Sequence, residues 1–381
     1  MERIGVDPAG AAIMTSKQFH YNLKIAGLTP AQANVLKQDM LSIGGEAAVA
    51  KGAASCSVVV SDAIISGTAR HFETLIAKLS VQSFGLPAVA ESVKEAIVNI
   101  TRPEYVIKAR ARKWKLGARS LVMGILNVTP DSFSDGGAYL EADKAVEHGL
   151  RMRECGADIV DVGGESTRPN ALPVDAEEEL KRVIPVVVGL VKKGVAVSVD
   201  TSKAVVAKAA LDAGAEMIHD VSALGDADMA RVCSGAAVVL MHRRGSAAAM
   251  QLDTSYKDLL DTVFLYLSER MEYAETAGIS RDRIVIDPGI GFGKSVDGNL
   301  SLIKNLSEFR ALGAPVLVGV SRKSFIGKAA AGRGGTPEER LSGSIAAGVA
   351  AVLNGAQILR VHDVKEAVVA CAIADALKAA Y

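Results

Sequence analysis

The side chains best suited to chemistry in this sequence stand at the ends of short apolar runs. Eight such runs follow residue 120, and each one ends in a polar or charged residue. Any single one would be explained as a capping group or as a hydrogen-bonded residue of the core. Eight together predict one rim of side chains around a ligand: Asn127, Asp161, Asp200, His219 with Asp220, His242, Asp287, Lys323, and Arg360 with His362.

The cations of this rim and the hydroxyl-rich loops beside it suit a polyanion such as pyrophosphate. Arginine offers a planar fork of donors and lysine a point charge. These candidates are Arg168, Lys323, Arg360 and His362, with the loop donors Thr129, Ser132, Ser134 and Thr167.

The carboxylates and amides of the rim indicate two further tasks. Asp200, Asp287 and His219 could recognise a flat, donor-rich heterocycle by matched hydrogen bonds. Asn127 and Asp135 offer hard oxygen ligands for a Mg²⁺ ion that bridges phosphate oxygens. The sequence has no H-E-x-x-H motif and no Cys/His cluster, which argues against zinc held by the protein.

The stretch "DPGIGFGKS" (287–295) resembles a P-loop but fails its spacing. A P-loop needs Gly, four residues and then Gly-Lys-Ser, whereas Pro288 occupies the required position and Gly289 comes one residue too late. We expect these glycines to let the backbone approach a ligand closely. Since no nucleophile motif occurs either, we expect group transfer without a covalent enzyme intermediate.

The apolar runs themselves predict buried parallel strands, because they lack the alternation of strands with one wet face. "CGADIVDVGG", "AGAEMIHDVS" and "NGAQILRVHD" each place Gly-Ala before such a run, and the glycine is a natural end for the preceding helix. Eight strand–helix units in roughly 260 residues predict an α/β fold of the (β/α)8 TIM-barrel type, with a doubly wound sheet as the alternative. Barrel strands carry their catalytic groups at their carboxyl ends, which accounts for the polar rim.

Residues 1–110 are predicted to form a separate small domain, α/β or mostly helical, ahead of a barrel domain at 111–381. Thr29 and Pro30 start a predicted helix that Gly44-Gly45 ends. "CSVVVSDAIISGT" predicts one or two strands, and two helical stretches follow it. Residues 101–120 carry seven Lys or Arg against one Glu, and we interpret them as a solvated connector.

Composition excludes several classes of protein. Lys plus Arg and Asp plus Glu number 43 each, so the chain is no polyelectrolyte and we expect neither a nucleic-acid nor a membrane partner. The four cysteines lie far apart without a C-x-x-C pair, which argues against a disulfide framework. No apolar stretch reaches membrane-spanning length, and we expect a cytoplasmic protein.

Six ordered motifs resemble those of the dihydropteroate synthase family: "MGILNVTPDSFSDGG", "DVGGESTRP", "SVDTSK", "DPGIGFGK", "SRKSFIG" and "RVHDV". They cover residues 121–381 almost continuously. The resemblance implies condensation of 6-hydroxymethyl-7,8-dihydropterin diphosphate with 4-aminobenzoate to give dihydropteroate and pyrophosphate, with Mg²⁺ as cofactor. We expect a homodimer.

The resemblance also implies roles at matching positions. Asp200, Asp287 and Lys323 would bind the pterin, with His219 at a pterin-contact position. Asn127, Thr167, Arg168, Arg360 and His362 would hold the diphosphate with Mg²⁺. Phe133, Pro169, Phe292 and Ser324 would shape the aminobenzoate pocket. From these roles we expect Lys323→Ala and Arg360→Ala to reduce turnover severely and leave the fold intact, and a chain that starts near Ala111 to keep its activity.

Two positions depart from the family pattern: His219 replaces an Asn, and Arg243 replaces a Met. We expect His219 either to contact the pterin, with pH-dependent recognition, or to be held inside the barrel wall. Two other functions remain open. One is a barrel that transfers the methyl group of methyltetrahydrofolate to a corrinoid protein, which has no use for the diphosphate-binding set. The other is a non-catalytic pterin-binding barrel.

Overall fold

The computed structural model describes residues 1–128, 138–165, 173–245, 249–330, 332 and 335–380. The chain divides into two compact units, Met1–Thr101 and Arg102–Tyr381. The division falls after Thr101, earlier than the position after residue 110 at which we placed it from sequence. The reason is that residues 102–110 contribute to the barrel unit.

The first unit is an antiparallel sheet with helices. Its three strands pair in the order β1-β3-β2, and Leu36, Ile65, Phe72 and Leu75 are buried in its core. Thr29 forms the predicted capping box with Gln32 at the start of the second helix. The α/β form of our prediction is therefore confirmed. The elements are a 3₁₀ turn at Glu2–Ile4, α1 (Pro8–Gln18), β1 (His20–Leu28), α2 (Pro30–Ser42), β2 (Glu46–Val49), β3 (Ser61–Thr68), α3 (Ala69–Leu79) and α4 (Leu86–Thr101).

The second unit opens with a hairpin, β4 (Tyr105–Lys108) and β5 (Lys113–Leu116), paired antiparallel. Tyr105, Ile107 and Leu116 are buried in one cluster with Leu121, Met217 and other residues from the beginnings of the barrel strands. Our interpretation of residues 101–120 as a solvated connector is therefore wrong. Charged residues alternate with apolar ones here, and the apolar ones cover the amino-terminal mouth of the barrel.

Eight parallel strands follow, and all eight correspond to the predicted apolar runs. Neighbours pair in chain order, β13 also pairs with β6, and a parallel bridge between Ile286 and Val316 joins the two ends of the sheet. The closed sheet confirms the TIM barrel over the doubly wound alternative. The strands are β6 (Leu121–Asn127), β7 (Ile159–Gly163), β8 (Val197–Asp200), β9 (Met217–Asp220), β10 (Ala237–Met241), β11 (Ile284–Asp287), β12 (Leu317–Val318) and β13 (Ile358–Val361).

Helices cover the outside of this sheet with apolar faces such as Val183, Val187 and Leu190. Gly156 ends the first of them with φ +102°, a backbone conformation that side chains disfavour, as the Gly-Ala pattern predicted. The helices are α5 (Ala138–Glu154), α6 (Ala176–Lys192), α7 (Ala204–Asp212), α8 (Met229–Cys233), α9 (Leu259–Thr276), α10 (Val296–Lys304), α11 (Ser324–Ala329), α12 (Leu341–Leu353) and α13 (Val364–Ala379). Shorter 3₁₀ turns occupy Arg281–Arg283, Leu306–Leu312 and Glu338–Arg340.

Over the part of the chain that the structure describes, none of these helices combines the length and the apolar character needed to cross a membrane.

Candidate active site

A cavity of about 610 Å³ opens at the carboxyl ends of the barrel strands. Its wall brings together Asn127, Asp200, Lys323, Arg360 and His362, which are far apart in sequence. These are five of the ten strand-end residues that the sequence predicted to form one rim. The cavity volume lies in the range of small-molecule sites, which is about 300–1,000 Å³.

Arg360 ties two carboxylates together at the inner side of this cavity. Its Nε donates to Asp161 Oδ2 at 2.6 Å, and its Nη2 donates to Asp200 Oδ2 at 2.7 Å. Burial alone would raise the pKa of Asp161, but the charge of Arg360 and a hydrogen bond from His219 hold it below its ordinary range. For Asp200 burial prevails, and its pKa is raised. Arg360 is therefore part of a buried charge network as well as of the cavity wall.

His219 lies inside the barrel between two carboxylates and is only 2% exposed. Its Nδ1 is 3.4 Å from Asp161 Oδ2, and its Nε2 is 3.8 Å from Asp287 Oδ2. Burial acts to lower the pKa of His219, but Asp161 and Asp200 outweigh it and the pKa is raised. The residue is not part of the cavity wall, so the geometry favours the second of our two expectations, with carboxylates as its partners.

Asp220, the next residue, holds a turn. Its carboxylate accepts hydrogen bonds from the backbone N–H groups of Ser222 and Leu224, both at 2.7 Å. Asp287 does the same on its own loop, since its Oδ1 accepts from Gly289 N at 2.7 Å. One oxygen of Asp287 is thus occupied by its loop, and the other faces His219.

Lys323 precedes α11 and lies over the ring of Phe292, with its Nζ 4.5 Å from the ring centre. Its ammonium group also donates to the carbonyl of Ile290. Burial lowers the pKa of Lys323 to about 8, although Asp287 acts in the opposite direction. A cation that is poorly compensated by its surroundings is poised to bind an electron-rich ligand.

Lys294 is a second buried lysine of the cavity, and our sequence interpretation gave it no role. It is 3% exposed, with its Nζ 3.0 Å from His242 Nδ1 and donating to the carbonyl of Phe292 at 3.0 Å. Burial lowers the pKa of Lys294 to about 7, and burial next to Lys294 lowers that of His242 to about 3. The only sequence signal for a role of Lys294 was its position at the end of the glycine-rich stretch 287–295, which we compared only with the P-loop pattern.

The glycines of this loop approach other backbone segments. Gly289 has φ +69°, and a Cβ on it would lie 1.9 Å from the carbonyl oxygen of His242. This contact with backbone requires a glycine at 289, and our expectation that the loop also approaches a ligand stays a prediction. The residue is glycine because the loop crosses directly over the end of β10.

Three further predicted residues lie on the cavity wall. Asn127 ends β6, and its side chain has no hydrogen-bond partner among the described residues. Ser324 is the exposed first residue of α11. His362 is oriented by Ser321, whose hydroxyl is 3.0 Å from its Nδ1 and accepts from its backbone N–H. The predicted residues Phe133, Asp135, Thr167, Arg168 and Pro169 lie outside the described residues.

A partly buried ion cluster lies at the carboxyl end of β7. Lys203 Nζ bonds to both Glu165 and Glu179, and Glu179 is fully buried. Arg182 donates to the carbonyl of Gly164 at 3.0 Å. The sequence did not reveal this cluster, because its members come from two successive strand–helix units, β7–α6 and β8–α7.

One group of residues has ligand spacing for a metal. Asp161, Asp200 and His219 place one ligand atom each within 4.8 Å of one another. Arg360 already donates to both of these carboxylates. Since a guanidinium group neutralises the cluster, we assign no metal to it. The amide oxygen of Asn127, which has no hydrogen-bond partner among the described residues, is a better fit for a hard cation.

Comparison with known proteins gives a consistent result for the barrel. Residues 123–362 match the family described as pterin binding enzyme. The chain is 47% identical to dihydropteroate synthase of Escherichia coli K12 over 258 residues, which are 67% of this chain and 90% of that protein. It superposes with a TM-score of 0.68 on "Xanthomonas albilineans Dihydropteroate synthase with 4-aminobenzoic acid", at 45% identity, covering 73% of this chain and 100% of that one.

A longer relative matches both units. The "Probable bifunctional folylpolyglutamate synthase/dihydropteroate synthase" of Halobacterium salinarum is 42% identical over 380 residues, which are 99% of this chain. The chain spans 45% of the length of that relative. The first unit is therefore shared with this protein, whereas the bacterial synthase matches over only two thirds of the chain.

Proposed function

The chain belongs to the family of pterin-binding enzymes, and on that premise we propose that it is a dihydropteroate synthase. It would condense 6-hydroxymethyl-7,8-dihydropterin diphosphate with 4-aminobenzoate and release pyrophosphate. One observation carries the proposal: a single cavity wall combines a carboxylate, Asp200, with the cations Lys323 and Arg360. Such a wall suits a ligand with a donor-rich ring at one end and an anionic group at the other.

The ring of the pterin would be recognised by Asp200, Asp287 and Lys323. A pterin presents amino and N–H donors that carboxylates accept, and ring nitrogen and carbonyl acceptors that a lysine ammonium group matches. His219 would act indirectly: its Nδ1 lies 3.4 Å from Asp161 Oδ2, and its protonated ring would place positive charge 3.8 Å from Asp287. Hydrogen bonds from Arg360 to Asp200 and from Gly289 N–H to Asp287 would hold these two carboxylates in place before the substrate arrives.

The diphosphate would be held by Arg360 and His362, together with Thr167 and Arg168. Asn127 and Asp135 would hold a Mg²⁺ ion beside it, and the position of Asn127 on the cavity wall supports this assignment. When bound, Mg²⁺ would neutralise charge on the departing pyrophosphate. The aminobenzoate would lie outside the pterin, against Phe292 and Ser324, with Phe133 and Pro169 completing its pocket.

The chemistry then needs little more than binding and charge stabilisation. The bond between the pterin methylene carbon and the diphosphate oxygen breaks, and its electron pair leaves with pyrophosphate. The lone pair of the aniline nitrogen forms the new carbon–nitrogen bond, and that nitrogen loses a proton to solvent. Lys323 and Arg360 stabilise the electron distribution of the separating groups, which is where fixed charges lower a barrier most.

The test is pyrophosphate release from the pterin diphosphate, measured with and without 4-aminobenzoate. We expect release that depends on 4-aminobenzoate, matches dihydropteroate formation and stops when a chelator removes Mg²⁺. Lys323→Ala should abolish it, and Lys304→Ala, an exposed lysine at the end of α10, should leave it unchanged. Methyl transfer from methyltetrahydrofolate without any pyrophosphate release would identify the corrinoid-dependent class instead. Pterin binding without turnover would indicate a non-catalytic barrel.

We propose a homodimer formed through α13. Val369, Ile373 and Leu377 follow one another at four-residue spacing on this helix, and each is more than half exposed. An apolar stripe of this kind on a helix suits the same stripe of a second copy. Light scattering should give the mass of a dimer for the wild type and of a monomer for Ile373→Glu. A monomeric wild type would refute the proposal.

We also propose the cytoplasm as the compartment of the enzyme. A reducing environment suits its four cysteines, which form no disulfide. Fractionation of the native host tests this, and recovery outside the cytoplasm would refute it.

A further inference from the structure

A second cavity, of about 310 Å³, lies at the opposite end of the barrel from the candidate active site. Its wall includes Ser120 and Gln357, which immediately precede β6 and β13, and Tyr105 of the β4–β5 hairpin. All of its lining residues belong to the barrel unit. The amino-terminal face of such barrels normally serves stability, so a polar cavity there calls for an explanation.

The cavity is strongly positive. Arg102, Arg119, Arg310 and Lys378 line it, and no Asp or Glu of the described residues does. Arg119 is neutralised by a bidentate pair with Asp158, and Lys378 lies 4.0 Å from an acidic neighbour on its own helix. Arg102 and Arg310, by contrast, donate to backbone carbonyl oxygens and have no ion-pair partner among the described residues. Two positive charges are therefore left without a counter-charge.

Two buried donors at this wall also lack an acceptor. The hydroxyl of Tyr105 and the Nε of Arg310 have no hydrogen-bond partner within the described part of the chain. Tyr105 is 5% exposed, and the guanidinium of Arg102 lies 5.6 Å from its ring centre. Buried donors are almost always satisfied in folded proteins, by protein, water or ligand. Their position beside the unpaired charges indicates that an anion is the missing acceptor.

We propose that this cavity binds a phosphate-type dianion, either inorganic phosphate or the phosphoryl group of a small metabolite. Two unpaired guanidinium groups match the charge of a phosphate dianion, and arginine forks suit its oxygens. The tyrosine hydroxyl supplies a further donor. The bound ion would join the β4–β5 hairpin to the segment that carries Arg310, so it would stabilise the barrel from the face opposite the cavity of the active site.

The chain contains its own reporter for this site. Trp114 is its only tryptophan, and it pairs with Ile107 in the same hairpin in which Tyr105 pairs with Leu116. The experiment titrates the full chain with inorganic phosphate, with glycerol phosphate and with acetate, at constant ionic strength, and records Trp114 fluorescence. Phosphate bound only in the active-site cavity would lie at the other end of the barrel from Trp114, so it should not change Trp114 fluorescence.

We expect a saturable fluorescence change with one or both phosphates and none with acetate. Whichever of the two compounds binds more tightly shows whether the cavity takes inorganic phosphate or the phosphoryl group of a metabolite. Tyr105→Phe, which removes one oxygen only, should weaken binding severalfold, and Arg310→Gln should weaken it by about tenfold or more. Lys323→Ala, at the other end of the barrel, should leave the response unchanged.

Any one of three results with the wild type, acetate or Lys323→Ala would overturn the proposal, and so would a fourth with the cavity variants. They are the absence of any saturable response in the wild type, an equal response to acetate, and a response that Lys323→Ala abolishes. Unchanged affinity in Tyr105→Phe and Arg310→Gln together would also overturn it. If Arg310→Gln does not fold, Tyr105→Phe decides alone.

Discussion

Replacing Lys294 with methionine should change how the stability of the barrel unit depends on pH. The ammonium group of Lys294 is buried beside the His242 ring and the Phe292 carbonyl, with no carboxylate in ion-pair distance among the described residues. Burial lowers its pKa from 10.5 to about 7, against the weaker opposing charge of Asp287. Methionine fills a similar volume without carrying a charge.

The magnitude follows from the difference between the folded and the unfolded chain. An unfolded lysine keeps its ordinary pKa, so between about pH 7 and 10.5 the unfolded state binds more protons and stability rises with pH. One pKa unit corresponds to about 1.4 kcal/mol, so lowering the pKa from 10.5 to about 7 amounts to nearly 5 kcal/mol, of which about 4 kcal/mol appears within this window. The wild type should gain this free energy of unfolding on raising the pH, relative to Lys294→Met.

The assay is urea unfolding of both proteins at several pH values, followed by Trp114 fluorescence. Because Trp114 is the only tryptophan and lies in residues 102–381, the signal reports the barrel unit alone. The window stays above the titration of His242, whose pKa burial lowers to about 3. Lys208→Met is the matched control, since the Lys208 side chain is 64% exposed on α7.

The free energy of unfolding of the wild type, minus that of Lys294→Met, should rise by about 4 kcal/mol from neutral to alkaline pH. Methionine cannot make the hydrogen bonds of Lys294, and their loss lowers the stability of the variant by the same amount at every pH. This loss shifts the variant's curve of stability against pH without changing its slope. A difference that is the same at all pH values would refute the argument that burial disfavours the charged amine. The Lys208→Met control should show no such slope.

Other substitutions test the rest of the site. Arg360→Ala should abolish turnover and also lower the free energy of unfolding by about 3–5 kcal/mol, because it leaves two buried carboxylates unpaired. This prediction replaces our expectation from sequence that the fold would be unaffected. Urea unfolding unchanged from wild type would contradict it. In the wild type, the raised pKa of His219 contributes stability that is fully present below about pH 6.5 and is lost as the pH rises through that raised pKa. His219→Asn should remove this contribution, so the stability of the variant should depend less on pH over this range than that of the wild type. A chain that starts at Arg102 should keep its activity. One that starts near Ala111, which we expected from sequence to stay active, should be less stable because it lacks β4; equal thermal midpoints of the two chains would show that the hairpin is dispensable.

Local signals in the sequence determined most of the elements. The capping box at Thr29 satisfies backbone donors within one turn of helix, and the glycine at 156 permits a backbone angle that few other residues adopt. The eight apolar runs predicted eight barrel strands because a strand covered on both faces must be apolar throughout. The rim of polar residues followed as well, since the carboxyl ends of parallel strands meet at one edge.

The sequence did not predict which side chains pair with one another across the barrel. Arg360 bonds to Asp161, 199 residues away, and to Asp200, 160 residues away. Nothing local distinguishes an arginine that binds only ligand from one that also neutralises buried carboxylates. The same holds for His219, which the sequence placed at the right strand but not between Asp161 and Asp287.

The sequence by itself thus determined which residues form the strands and which polar groups stand at their ends, because those features depend on neighbours along the chain. Only the tertiary structure decided which of these groups neutralise one another. Closure of the sheet between β11 and β12 sets the distances between strand ends, and burial then shifts the pKa values of Lys294 and Lys323. Both effects arise from contacts between distant segments, which the order of residues does not reveal.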